Sequence, residues 1–272
     1  LDKNERLEAL RLVSVWTNPP DVDQSLGRYA PLNPRNRSEI KETLEQEIGS
    51  LLSLKGEVLA AAIGLAGQYG LSVKGLDEAG LTGLLKGREL GSRVRMVVLD
   101  LLVGVNSASL QGLLDAATRD DDITYANHAL QLLASRFPQS AIPAVTKALD
   151  SDNVMQAQAA WRILVDLPGE ITAVRIARGL DDLETGKLNP NLALEVVEAA
   201  EKRMGDPIVA VALRNYANSL PEDDPLARFQ ICLQGGDPVN GEAVFRSHPA
   251  GQCLRCHRVD SGHSAGGEAG AN

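Results

Sequence analysis

Close to the end of the chain stands Gln252-Cys253-Leu254-Arg255-Cys256-His257. This is C-x-x-C-H, the attachment signal of a c-type haem. Two thiols two residues apart can reach the two vinyl groups on one edge of a porphyrin and form thioethers. The following residue, His257, then lies under the iron and can donate a ring nitrogen as proximal ligand. Two other chemistries use the same residue types. Cys253 and Cys256 with two of His248, His257 and His263 would suit zinc, although the chain has one C-x-x-C and no second cysteine pair. A thioredoxin-like redox pair would need a neighbouring strand-helix-strand pattern, and none is found. The expected cofactor is therefore covalent haem c, with Cys253 and Cys256 as thioether partners and His257 on the iron.

The residues ahead of the motif sharpen that expectation. In Gly236-Asp237-Pro238-Val239-Asn240-Gly241-Glu242-Ala243-Val244-Phe245, Asp237 is suited to cap a helix and Pro238 to begin one. The stretch resembles the opening of a class I cytochrome c: a short helix with Gly241 and Phe245 one turn apart, then a loop into the haem motif. The resemblance covers only the start of such a domain. After His257 come Arg258-Val259 and the Gly-rich stretch 262–270, and the sequence stops at Asn272. No methionine follows the motif to supply the second axial ligand such domains usually carry. Met96, Met155 and Met204 all lie upstream on predicted helices, where Met serves as core filler. His263 or His248 could substitute, against the simpler reading of each as a solvated loop histidine. Residues 236–272 thus read as a truncated cytochrome c domain. A stretch below ~40 residues rarely folds unaided, so this one is expected to be loosely ordered or to lean on what precedes it.

Composition limits the rest. The chain of 272 residues is 44% hydrophobic but only 3% aromatic, a mix that favours stacked helices over a β-sandwich. A net charge of −9 argues against nucleic-acid binding, which needs a basic patch, and there is no polybasic membrane signal. No apolar run is long enough to span a bilayer, and no signal peptide is seen. The chain begins at Leu1 and reads as a segment cut from a longer protein. Covalent haem attachment implies the periplasm or another extracytoplasmic space. Cys232, in the apolar run Phe229-Gln230-Ile231-Cys232-Leu233, is expected to be a small buried hydrophobe.

Elements that could carry the motif are helical throughout. Glu5 to Trp16 has helical apolar spacing. Residues 17–36 contain Pro19, Pro20, Pro31 and Pro34, which forbid a long helix. They also carry Val22, Leu26, Tyr29 and Leu32, so an ordered extended segment packed along helices is expected; residues 1–35 form this N-terminal part. Ser38 to Leu54 predicts a helix capped by Ser38. A theme then recurs: Val58-x-x-Ala61-x-x-Gly64-Leu65, Val94-x-x-Val97-x-x-Asp100-Leu101, Ile123-x-x-Ala126-x-x-Ala129-Leu130, Val154-x-x-Ala157-x-x-Ala160-Trp161, and a degraded copy from Leu192. Shorter apolar stretches at 76–85, 107–117 and 141–149 lie between. A helical period nested in a step of about 30–40 residues means paired helices stacked as an α-solenoid, here over 36–235. Helices at 191–204 and 207–220 and a short one at 226–233 close it.

The recurring apolar residue, Ala three later, then Leu, with Asp or Asn opening the helix, resembles HEAT repeats. The tetratricopeptide pattern is not met. The alternative is an irregular helical domain. His128 reads as a groove or surface histidine, and Asp120-Asp121-Asp122 and Glu222-Asp223-Asp224 as helix starts. Arg35, Arg37, Arg88, Arg93 and Arg95 are too scattered to define a phosphate site, and no hydrolase, nucleotide-binding or zinc-protease motif occurs.

Taken in order, a Pro-rich segment, a HEAT-like solenoid and a cytochrome c start resemble the C-terminal part of large secreted haem-containing proteins of planctomycete-type bacteria. In those, a propeller resembling a quinoprotein sugar dehydrogenase precedes the repeats. The resemblance implies an electron-transfer module fed by an electron-donor domain in the parent chain. No catalytic site falls in this segment. The competing expectation is a protein-interaction scaffold with no redox role here.

Overall fold

The computed structural model describes residues 2–23, 28–71, 73, 75–86, 90–105 and 107–257. Leu26, Arg88, His263 and the tail after His257 lie outside the described residues. Among those described, every regular element is helical apart from a single antiparallel bridge, Val22 to Tyr29. Contacts divide the chain into residues 78–236 and a second unit made of the residues before and after them.

The N-terminal part of that second unit holds α1 (Lys3–Ser14), α2 (Ser38–Leu51) and α3 (Gly56–Tyr69). A reciprocal cap starts α1: Asp2 accepts the Glu5 N–H at 2.9 Å and Glu5 accepts the Asp2 N–H at 2.8 Å. The end of α3 donates to two of the carbonyls at the end of α1. Tyr69 Oη donates to Val13 O at 2.8 Å and Gln68 Nε2 to Ser14 O at 2.7 Å. Leu10, Ile48, Ala62, Leu65 and Tyr69 form the core between these helices.

Three expectations for this region need correction. Ser38 is not the cap of α2. Arg37 before it is already helical, so Ser38 lies inside the first turn and its N–H donates to Asn36 Oδ1 at 3.0 Å. Trp16 falls beyond the end of α1, under the Arg35 guanidinium at 4.2 Å. The Pro-rich stretch turns back on itself, with Asp23 N–H on Arg28 O and Ala30 N–H on Asp21 O, both at 2.8 Å. These bonds pair part of its backbone within the stretch itself. Val22 is buried, but Tyr29 and Leu32 are exposed rather than packed.

Residues 78–236 hold α4 (Glu78–Lys86), α5 (Ser92–Gly104), α6 (Leu110–Ala117), α7 (Ile123–Arg136), α8 (Pro138–Leu149), α9 (Val154–Leu164), α10 (Glu170–Glu184), α11 (Ala193–Lys202) and α12 (Pro207–Ser219). Two 3-10 turns, Pro190–Leu192 and Ala227–Leu233, complete the unit. α5, α7, α9 and α11 touch in succession, and α4, α6, α8 and α10 each pack on the helix that follows. This succession of packed helices is compatible with an α-solenoid.

Burial corrects the repeat register. In α5 the buried residues are Val94, Val98, Leu99 and Leu102, and Asp100 faces outward. The matching buried residues are Ala129, Leu130 and Leu133 in α7, then Ala160, Trp161 and Leu164 in α9. The caps follow the same spacing: Gly91, then Asp122 accepting from Tyr125 N–H, then Asn153 accepting from Gln156 N–H. Asp120-Asp121-Asp122 is thus a helix start, as expected. α10 is not among the helices that the periodicity predicts. Two methionines also differ from expectation: Met155 and Met204 are exposed, because one sits on the outer side of a first turn and the other beyond the end of α11.

Close approach sets the tightest contacts. A Cβ on Gly179 of α10 would meet Trp161 Cη2 at 2.5 Å and Val196 Cγ1 at 3.2 Å. Gly179→Ala is expected to cost about 1–3 kcal/mol through overpacking; a thermal melt unchanged from wild type would contradict this.

Arg95 ties α5 to the start of α7. Its guanidinium lies 4.1 Å from the Tyr125 ring centroid and 2.6 Å from Asp120 Oδ2. Burial opposes ionisation of Asp120, but hydrogen bonds from Arg95 and from Asp122 N–H outweigh it and hold the carboxyl below its ordinary range. The Ser92 hydroxyl and Tyr125 N–H do the same for Asp122. The folded state therefore binds fewer protons than the unfolded one. The stabilisation is complete above the unfolded value of about 3.9 and is lost as pH falls through the depressed folded value. Asp122→Asn keeps a capping oxygen but cannot titrate. The stability gap between wild type and Asp122→Asn should narrow as denaturant melts are taken from about pH 5 to about pH 2; a constant gap refutes the coupling.

Candidate functional site

The C-x-x-C-H stretch follows α13 (Pro238–Ser247). This helix starts as its sequence dictates. Asp237 Oδ1 accepts the N–H groups of Val239 at 3.1 Å and Asn240 at 3.0 Å, and Pro238 occupies the first turn. None of its residues is buried, so it has no core of its own to hold it. Arg246 and Glu242 pair one turn apart at 2.7 Å, an exposed contact worth a few tenths of a kcal/mol. α13 packs against the 3-10 turn Cys253–Arg255.

Between them runs a tight turn. Gly251 N–H donates to His248 Nδ1 at 3.0 Å, and Gln252 N–H donates to His248 O at 3.1 Å. Gln252 has φ +42°, a left-handed conformation found at no other non-glycine among the described residues. A long side chain there is strained. Its carbonyl accepts Arg255 N–H at 3.0 Å and its side-chain oxygen accepts Arg255 Nη1 at 2.9 Å.

The motif itself is one turn of chain. The Cys253 carbonyl accepts two N–H groups, from Cys256 at 3.1 Å and from His257 at 2.9 Å. All three cysteines of the chain are free thiols; Cys253 is half-buried, Cys256 and His257 exposed. The Phe245 ring meets the His257 ring edge-on, with centroids 6.2 Å apart. Cys253, Cys256 and His257 thus share one turn of chain, with Phe245 against the His257 ring, and His248 closes the preceding turn. Among the described residues no three His, Cys, Asp or Glu side chains are grouped as a metal site. The donor set of two thiols and an imidazole on one turn fits the two thioethers and one axial nitrogen of a haem c.

Other candidates fall elsewhere. His128 lies on α7 with Nε2 2.7 Å from Asp100 Oδ1 on α5, a contact between successive helices. Cys232 is exposed rather than buried. Its run forms a 3-10 turn too short to bury one face, and Phe229 and Leu233 are exposed with it. The turn-closing role of His248 and the left-handed Gln252 are not apparent from residue types; Pro249-Ala250-Gly251 is the one turn signal there.

Comparison with family models, with curated proteins and with solved structures gives no match.

Amide exchange reports the turn directly. Gln252→Gly should preserve protection of the Cys256 and His257 N–H groups. Gln252→Val should abolish it, because a β-branched residue resists positive φ; equal protection in both variants would show that the left-handed residue does not set the turn.

Proposed function

We propose that the chain is a haem c-binding electron-transfer module carried on a HEAT-like helical scaffold. The supporting observation is the single turn that carries Cys253, Cys256 and His257, with Phe245 against the imidazole. In this reading Cys253 and Cys256 bind the porphyrin edge covalently and His257 holds the iron. The haem, when bound, accepts one electron and passes it on. The residues of the chain tether it, orient its proximal ligand and cover part of one face. Phe245 limits rotation of the His257 ring, and the Cys253 carbonyl fixes the turn that spaces the sulfurs.

The wider context belongs to the same proposal. The HEAT identity rests on recurring buried Ala and Leu with Asp or Asn caps. The module would serve an extracytoplasmic oxidoreductase, with electrons arriving from a donor domain such as a sugar-dehydrogenase-like propeller in a longer parent chain. No helix among the described residues is long and apolar enough to cross a membrane.

One observation favours a second reading, a protein-interaction scaffold without redox role. The last α-helix of residues 78–236, α12, exposes Ile208 and Val211, and the turn after it exposes Leu226, Phe229 and Leu233. A terminal repeat that needs no partner usually presents a polar outer face.

Expression with a c-type haem-maturation machinery separates the two. Wild type should carry covalent haem with a reversible absorption band, Cys253→Ser with Cys256→Ser should carry none, and His257→Ala should alter the spectrum. Wild type that emerges with zinc or with no group at the site sinks the electron-transfer reading.

A further inference from the structure

The sequence offers His248 as a possible ligand, yet its ring is already committed. A backbone N–H can only donate, so the Gly251 N–H at 3.0 Å must meet a lone pair on His248 Nδ1. The neutral ring then carries its proton on Nε2. Neither nitrogen offers a free lone pair to a metal while this bond stands. The same residue uses its carbonyl to accept the Gln252 N–H at 3.1 Å. Side chain and main chain of His248 thus close the turn from both sides. A Cβ placed on Gly251 would stand 3.4 Å from His248 Nδ1 and 3.4 Å from Cys253 Sγ, which puts ring and thiol around one point. The residue between Gly251 and Cys253 is Gln252, held at φ +42°. Such a conformation persists only where its surroundings impose it.

We propose that His248 is a positioning residue for haem attachment: its Nδ1 holds the Gly251–Gln252 turn, which aims Cys253, and it is not an axial ligand. The proposal rests on the haem reading of the C-x-x-C-H turn. The device is local: α13 packs on the 3-10 turn of Cys253 but buries no residue of its own. The turn's register depends on hydrogen bonds within residues 248–257.

The test separates a role for Nδ1 from general structure and from ligation. The shorter amide of His248→Asn would place an oxygen where Nδ1 stands, whereas the longer one of His248→Gln would place it nearer Nε2. The chain is produced as wild type, His248→Asn, His248→Gln, His248→Ala, and His248→Ala with Gln252→Gly. Two quantities are read: covalent haem per chain after co-expression with the maturation machinery, and amide exchange at Gln252 and Cys256 in the haem-free chain. Loss of one exposed hydrogen bond should lower protection and haem yield by about two- to ten-fold in His248→Ala and His248→Gln. His248→Asn should stay near wild type. Gln252→Gly should restore part of the loss, because glycine adopts the left-handed turn without help.

Equal protection and equal yield across the set overturn the proposal. So does His248→Asn that attaches haem normally but loses the absorption signature of a second nitrogen ligand, which would make His248 the sixth ligand. A wild type without haem ends the electron-transfer reading instead, and the exchange measurement still decides whether His248 holds the turn.

Discussion

The helix stack of residues 78–236 depends on the absence of bulk where its helices cross. Ala126 and Ala129 in α7 and Ala157 and Ala160 in α9 are buried almost completely. They let backbones approach closely enough for Leu130, Leu133, Trp161 and Leu164 to fill the spaces beside them. Gly179 takes this furthest, because the Trp161 ring occupies the place of its missing side chain. The only Trp in this unit is thus admitted by its only buried glycine among the described residues. Polar contacts then fix register between the helices. Arg95 reaches Asp120, His128 reaches Asp100, and Arg203 donates to the carbonyls of Val165 and Leu167 at 3.0 and 2.9 Å. Each links one helix to the start or flank of another.

Much of this architecture is legible in the residues, for identifiable reasons. Helices with a clear apolar stripe and a side-chain cap are found where periodicity and capping chemistry agree, as in α7 and α9 with Asp122 and Asn153. Legibility fails where two rules compete. Val94, Val97 and Leu101 fit the recurring spacing as well as Val94, Val98 and Leu102 do, and only packing against α7 selects the second set. α10 escapes notice because Gly179 interrupts its apolar pattern, although that glycine is what the packing needs. Met155, Met204 and Cys232 show that an apolar side chain at the end of a helix or on a short turn need not be buried.

The C-x-x-C-H turn stands at the other extreme. Its residue types, two thiols and an imidazole at fixed spacing, are what make it a candidate site. Its conformation is less readable, because it comes from main-chain hydrogen bonds and from one left-handed Gln, neither of which residue type encodes. The helix ahead of the turn is legible from Asp237 and Pro238, whose cap and first-turn roles are strictly local. A segment without buried residues can still be specified in this way, by short-range rules in place of a core.

The exit from the helix stack carries a mechanical consequence. Gly235, at φ +75°, lies so close to Asn191 that any side chain would strike its carbonyl oxygen. The buried Gln158 donates to Asn191 O at 2.9 Å and to Gly236 O at 3.3 Å. The chain beyond α12 is therefore pinned back onto α9 and the 190–192 turn. Tension applied downstream of Gly236 loads this clasp before it can reach α12. The clasp thus stands between α12 and any load on the chain past Gly236.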